Sequence, residues 1–160
     1  MDAIQLLKRD HDQFRALLEK LEETSDRAIK ARSALFHSLK AELVAHETIE
    51  EEILYPTMAE HRSAEDIVAH SYEEHHVIDV LLDELETLSF EDEAWSAKAH
   101  VLKENLEHHL EDEEEDLFPK ALRLLSAEER ADLGDEMEER QDEVLEAAVA
   151  HPHARVDKPR

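Results

Sequence analysis

The sequence predicts an all-α protein whose helices are bundled on a shared core, and three observations predict it. Apolar residues make up 41% of the chain and recur almost wholly at alternating three- and four-residue steps, the period of a helix face turned inward. One glycine and four prolines in 160 residues leave little turn chemistry for a sheet. The chain is also duplicated. Residues 31–56 laid over 94–119 at a shift of 63 give 13 identities in 26 positions, among them His46/His109, Glu50/Glu113, Leu54/Leu117 and Pro56/Pro119. A shift of 64 places His11 on His75 and Leu18 on Leu82. A helix pair used twice makes four helices.

The first helix is expected over 2–23, with the inward stripe Ile4, Leu7, His11, Phe14, Leu18 and Leu21. Thr24-Ser25-Asp26 breaks it, and the second follows over 32–60 with Leu39, Leu43, His46, Glu50 and Ile53. The third spans 64–88, with Ser63 as its N-cap and Val68, Ser71, His75, Ile78, Leu82 and Leu85 facing in. The fourth spans 93–118, with Trp95 as an anchor at its start and Leu102, Leu106, His109 and Glu113 inward; Leu117 falls one residue off step. Pro56 and Pro119 are expected to interrupt the second and fourth helices just beyond these positions. Ser126-Ala127-Glu128-Glu129 reads as a capping box that opens a fifth helix to about residue 150. Its apolar positions Leu133, Met137, Val144 and Leu145 are sparse, so it is expected to pack loosely or to serve a partner. Residues 1–122 form the bundle, 126–150 the extra helix, and 151–160 a tail expected to be disordered.

Four histidines, two glutamates and a serine thus stand where leucine belongs. A buried polar group without a partner costs about 1–3 kcal/mol, so six ionisable ones could erase a folding stability of about 5–15 kcal/mol. The spacing supplies the remedy. In each His-x-x-x-Glu the two side chains lie one turn apart on one face, so His46 with Glu50 and His109 with Glu113 can reach one point in the core, and a carboxylate can bridge two cations. Adding His11 and His75 gives two imidazoles and a share of both glutamates to each ion: a dinuclear metal site with open positions. With no cysteine there is no thiolate site or Fe–S cluster. Imidazole and carboxylate favour non-haem iron, with manganese or zinc chemically admissible.

Composition excludes other classes. A formal charge of −25 speaks against nucleic acid and anionic membranes as partners. The start Met1-Asp2-Ala3-Ile4 carries no targeting signal and no run approaches a membrane span, so a cytoplasmic location is expected. A ferritin-like site would need Glu-x-x-His on two helices; the one nearby case, Glu73 with His76, is off the stripe and unmatched in the repeat.

These residues resemble the hemerythrin-like, or HHE cation-binding, family, on His11, His46 with Glu50, His75, and His109 with Glu113, each His-x-x-x-Glu followed by Leu-Tyr-Pro or Leu-Phe-Pro. The resemblance spans about residues 1–120. It implies an up-down-up-down four-helix bundle holding two iron ions in an oxo- or hydroxo-bridged centre that binds or reacts with O₂, hydrogen peroxide or nitric oxide. Oxygen-carrying members use a further histidine one turn before the third-helix ligand; this chain has Ser71 there, which leaves a position for water, peroxide or an unusual ligand. His70 points about 140° away from His75 on an ideal helix. Peroxide or nitric oxide consumption by a di-iron oxidoreductase is one activity such a centre supports. A module that holds or senses iron and signals through a protein partner is the alternative, and the oligomeric state is not written in the sequence.

Two further residues are candidates near the metals. Tyr55 replaces the Phe118 of the other copy and offers a phenol as ligand or as hydrogen-bond partner of the bridge, and Glu47 is a candidate extra carboxylate. His76 is expected to face solvent, since only His75 matches both stripe and repeat. His37 and His100 match in the repeat but lie half a turn from the ligand face, and the acidic runs at 50–52 and 111–116 read as solvated faces apart from Glu50 and Glu113. His61, His108, His151 and His153 fall in no motif.

Overall fold

The computed structural model describes residues 1–158. Helix α1 (Ala3–Glu22) is followed by α2 (Ile29–Ile49), which runs through a π-helical turn (Glu50–Leu54) into α3 (Tyr55–Ala59). A 3₁₀ turn (Arg62–Ala64) leads into α4 (Glu65–Thr87). Helix α5 (Glu93–Asp112) runs through a second π turn (Glu113–Leu117) into α6 (Phe118–Leu124), and α7 (Ala127–Ala150) ends the helical part. The rods α1, α2–α3, α4 and α5–α6 make an up-down-up-down four-helix bundle, and α7 lies against α1 and α2. No strand occurs among the described residues, and none of their helices is long and apolar enough to cross a membrane.

Helix ends follow local chemistry. The Asp2 and Asp92 carboxylates accept from the backbone N–H groups of Ile4 (2.8 Å) and Ala94 (2.9 Å), and Ser126 and Glu129 form a reciprocal capping box. Ser63 does not cap α4. The 3₁₀ turn carries the chain into that helix, whose first turn has Glu65 and Asp66 for the positive end of the dipole.

Every stripe position is buried, from Ile4 in α1 to Leu117 after α5. The apolar members separate into two clusters. One holds Leu7, Ile49, Leu54, Met58, Phe118 and Met137; the other holds Phe14, Leu39, Leu43, Leu82, Trp95 and Leu106. The histidines and glutamates form the layer between them.

The prolines do not interrupt their helices. Each follows a π turn, closed by the Tyr55 N–H to the Glu50 carbonyl in one copy and the Phe118 N–H to the Glu113 carbonyl in the other. Pro56 and Pro119 then sit in the first turn of α3 and α6, where a missing N–H matters least. The extra residue in a π turn rotates everything after it by about 100° relative to an unbroken α-helix. That rotation explains why Leu117 is off step, and it turns Tyr55 and Phe118 inward on the face of the glutamates.

Helix α7 and the tail depart from expectation. Instead of packing loosely, α7 buries Met137 and Gln141 and brings Gly134 against the backbone of Met1 to Ala3, where an added Cβ would lie 1.7 Å from the Met1 carbonyl oxygen. Arg130 bonds Asp2 at 2.8 Å beside this contact. Residues 151–158 of the tail are laid along the bundle. Val156 is buried, and the Val156 and Asp157 N–H groups donate to the two Asp83 carboxylate oxygens at 2.7 and 2.9 Å. A single buried valine with two charge-assisted bonds is too small a signal for periodicity to detect; residues 159 and 160 of the expected tail lie outside the described residues.

Gly134→Ala is therefore expected to destabilise the protein by about 1–3 kcal/mol through overpacking, a fall in melting temperature of several degrees for a chain of this size. An unchanged melting curve would show that α7 does not need the close approach.

Candidate metal centre

Six side chains from four rods converge in the polar layer: His11 from α1, His46 from α2, His75 from α4, His109 from α5, and Glu50 and Glu113, each the first residue of a π turn. None is more than 1% exposed. They form two overlapping groups. In one, His11, His46, Glu50 and Glu113 bring ligand atoms within 4.8 Å of one another; in the other, His75 and His109 do so with the same two glutamates. His46 Nε2 lies 3.2 Å from Glu50 Oε1, and His11 Nε2 3.2 Å from Glu113 Oε2. Across the layer His75 Nε2 is 3.1 Å from Glu50 Oε2 and His109 Nε2 is 3.2 Å from Glu113 Oε1. Each glutamate therefore presents one oxygen to each group.

The outer nitrogens fix which imidazole atom faces in. Nδ1 of His11 donates to Glu114 (2.8 Å), that of His46 to Asp10 (3.1 Å), that of His75 to Glu51 (3.2 Å) and that of His109 to Glu74 (3.1 Å). A carboxylate accepting at Nδ1 leaves the lone pair on Nε2, the arrangement metal-ligating histidines use. Burial works against ionisation of Asp10, Glu74 and Glu114, but their imidazole and arginine partners outweigh it and hold all three below the usual carboxylate range.

Nitrogen lone pairs now face one another and face carboxylates. His75 Nε2 and His109 Nε2 are 3.0 Å apart, a repulsive contact unless a cation stands between them or at their side. In the other group His11 Nε2, His46 Nε2, Glu50 Oε1 and Glu113 Oε2 are buried without a hydrogen-bond partner. The donor set therefore fits metal cations. Without them protons take their place. Burial opposes charge on His46, yet Glu50 and Asp10 raise its pKa to about 10, and Glu113 in the same way raises His109 well above its ordinary value.

The two groups are alike except at Tyr55 and Phe118. The Phe118 ring stacks on His11 at 5.2 Å between centroids and closes the first group with carbon. The Tyr55 hydroxyl enters the second, donating to Glu113 Oε1 at 2.6 Å and lying 3.1 Å from Glu50 Oε2 and 3.2 Å from His75 Nε2. Burial, then the Glu113 and Glu50 charges, push its pKa well above the ordinary tyrosine value. Ser71 is buried beside it and gives its hydroxyl to the Ile67 carbonyl at 3.0 Å.

The candidate Glu47 does not join either group. Although buried, it lies instead in a third group with Glu51 and the outer side of the layer at His75, and burial, then the neighbouring Asp79, raises its carboxyl well above the ordinary range. The reason is angular: His46 faces in, so its chain neighbour is carried about 100° around the helix. His76 lies off the site, 43% exposed and paired with Asp157 at 2.9 Å, and His70 is 63% exposed. Asp10, Glu51, Glu74 and Glu114 escaped the sequence reading, two of them dismissed as solvated charge. A signal was present: Asp10 and Glu74 match at the shift of 64, and Glu51 and Glu114 at 63. The acid before each lone histidine serves the partner helix of its own pair, and the acid after each glutamate serves the lone histidine of the other pair.

A further layer holds these acids. Arg15 grips Glu114 with two bonds of 2.9 and 3.0 Å, Gln141 of α7 donates 2.7 Å to the Asp10 oxygen that accepts from His46, and Lys158 of the tail lies 3.6 Å from Glu51. Gln141→Leu is expected to weaken metal binding, by less than the about 10–100-fold that follows loss of a group bonded directly to a ligand imidazole, with helicity intact; unchanged affinity in a competition titration would remove α7 from the site. In the metal-free protein His46 has its pKa raised from about 6.5 unfolded to about 10 folded. Its stabilising charge is thus complete below about pH 6.5 and is lost as pH rises toward 10. Thermal stability of metal-free protein should fall across that window, while metal affinity, which needs neutral imidazole, should rise.

Comparison with known proteins agrees with this geometry. The chain is similar to a crystal structure of a hemerythrin HHE cation binding domain-containing protein from Mycobacterium kansasii, with a TM-score of 0.84 and 26% identity over 94% of this chain and 91% of that one. Among curated proteins none matches. The sequence profile of the Hemerythrin HHE cation binding domain matches residues 2–121, which takes in all six converging side chains and both π turns. The chain belongs to the hemerythrin HHE cation-binding domain family.

Proposed function

We propose that the chain is a non-haem di-iron protein in which His11 and His46 hold one ion, His75 and His109 hold the other, and Glu50 and Glu113 bridge them. The observation that carries this reading is the pair of donor groups sharing both glutamates, each glutamate with one oxygen in each group. Bound iron would supply one-electron chemistry toward O₂, hydrogen peroxide or nitric oxide. The protein's own residues then shape which of these outcomes follows. The Tyr55 hydroxyl, 3.2 Å from His75 Nε2 and 2.6 Å from Glu113 Oε1, supports a role for this residue as an oxygen ligand to the second ion or as a hydrogen-bond partner beside it. If Tyr55 gave up its proton and bound as the phenolate, it would stabilise the oxidised metal and favour consumption of an oxidant over reversible oxygen carriage. Glu51 and Glu74 hold His75 and His109 in the tautomer that faces the ion. A cavity of about 150 Å³ lined by Ser71, Glu74, Asp112 and Glu113 leads to this second group. It admits a diatomic or a peroxide and is too small for a complex organic substrate.

Elemental analysis after anaerobic ferrous reconstitution should find two irons per chain, and one or none would overturn the reading. His75→Ala should lose iron while His76→Ala retains it. Oxidised iron-loaded protein should show a broad visible charge-transfer band that Tyr55→Phe abolishes; a parent-like spectrum and peroxide reactivity in that variant would make Tyr55 a packing residue like Phe118.

A further inference from the structure

A second set of donors gathers well away from the bundle core. His37 of α2, Glu86 of α4 and His153 of the tail bring ligand atoms within 4.8 Å of one another. Along α4, Glu86 stands eleven residues beyond His75, about 16 Å of helix rise, so this cluster shares nothing with the di-metal layer. His37 has its tautomer fixed: Nδ1 donates to the Ser33 carbonyl at 2.9 Å, which leaves the lone pair on Nε2. Nε2 stands beside the Glu86 carboxylate, 3.4 Å from Oε1 and 3.3 Å from Oε2. His153 Nδ1 makes a short contact with the same Oε1. Two imidazole nitrogens and a carboxylate oxygen thus meet at one point, a donor set that protons or a metal cation can fill. The Lys40 ammonium lies 3.6 Å from Glu86 Oε2 and is itself buried and engaged with the Pro152 carbonyl, so Oε1 is the carboxylate oxygen away from it.

The other copy of the repeat shows what is special here. His100, the match of His37, is 58% exposed beside Glu104 and Glu22, with no second imidazole. Only the His37 copy receives a histidine from the tail. Two imidazoles and one carboxylate, with room on the exposed His153 side for water, is a donor set that zinc takes with a fourth position open.

We propose that His37, Glu86 and His153 form a second metal site, for a borderline divalent cation of the zinc class, and that the ion fastens the C-terminal tail across the face of α2 and α4. The tail segment it would fasten also roofs an apolar cavity of about 300 Å³ whose walls include Val44, Val144, Ala148 and Val156. The same segment carries Lys158 to Glu51, so a fastened tail keeps that contact in place.

The test uses full-length protein whose bundle site has first been filled with iron, titrated with zinc at about pH 7.5, above the ordinary imidazole pKa of about 6.5. One further equivalent should bind with iron content and visible spectrum unchanged. Backbone hydrogen exchange over residues 151–157 should slow on zinc addition. His37→Ala and His153→Ala should each weaken zinc binding by more than about tenfold, at least the loss seen for a partner one layer out, and should abolish the slowing. His153 is 73% exposed, so its variant cannot fail by unfolding the bundle. The proposal is overturned if no further equivalent binds, if both variants bind zinc as the parent does, or if zinc enters only by displacing iron.

Discussion

Four imidazoles and two carboxylates buried in one layer of a helical bundle are the constraint on which the rest of this structure depends. Left to themselves they would be prohibitive, since charge in an apolar interior must be matched by charge. The chain meets the constraint on two sides. Inward, the lone pairs and carboxylate oxygens converge as a donor set for cations, and outward each Nδ1 is tied to an acid. Apolar clusters above and below close the layer on two sides, and the low dielectric they create strengthens these electrostatic contacts.

Support extends beyond the segment that defines the family. Gln141 and Lys158 both lie past residue 121, yet one holds the acid behind His46 and the other stands beside the acid behind His75. The fit of Gly134 against the first residues of the chain sets the seat of α7, and through Gln141 that seat reaches the centre. Packing far from the donors therefore bears on their orientation, and a helix that adds nothing to the ligand list still belongs to the site.

Duplication explains the site's symmetry, and one aromatic position breaks it. The acids exchange between halves in a regular pattern, each π turn opens on a glutamate of the polar layer, and each turns the next aromatic inward. At that point one copy supplies a ring alone and the other a ring with a hydroxyl. A hydroxyl 2.6 Å from Glu113 makes one half of the layer chemically distinct while leaving the packing of the other intact.

The one-dimensional pattern alone determined the all-α class, the paired repeat and the burial of His11, His46, Glu50, His75, His109 and Glu113, because helical periodicity and burial are local properties that a stripe records directly. Tertiary structure decided everything that depends on rotation or on distance across the chain. Tyr55 faces the site only because a π turn rotates it there, and no residue-by-residue period encodes that turn. Glu51 and Glu114 look like solvated acids in sequence, yet each is set against an imidazole from the opposite half of the repeat, 24 and 103 residues away. The docked tail was hidden for the same reason: its anchors are two hydrogen bonds to Asp83 and one buried valine, interactions strong in place and without any periodic trace.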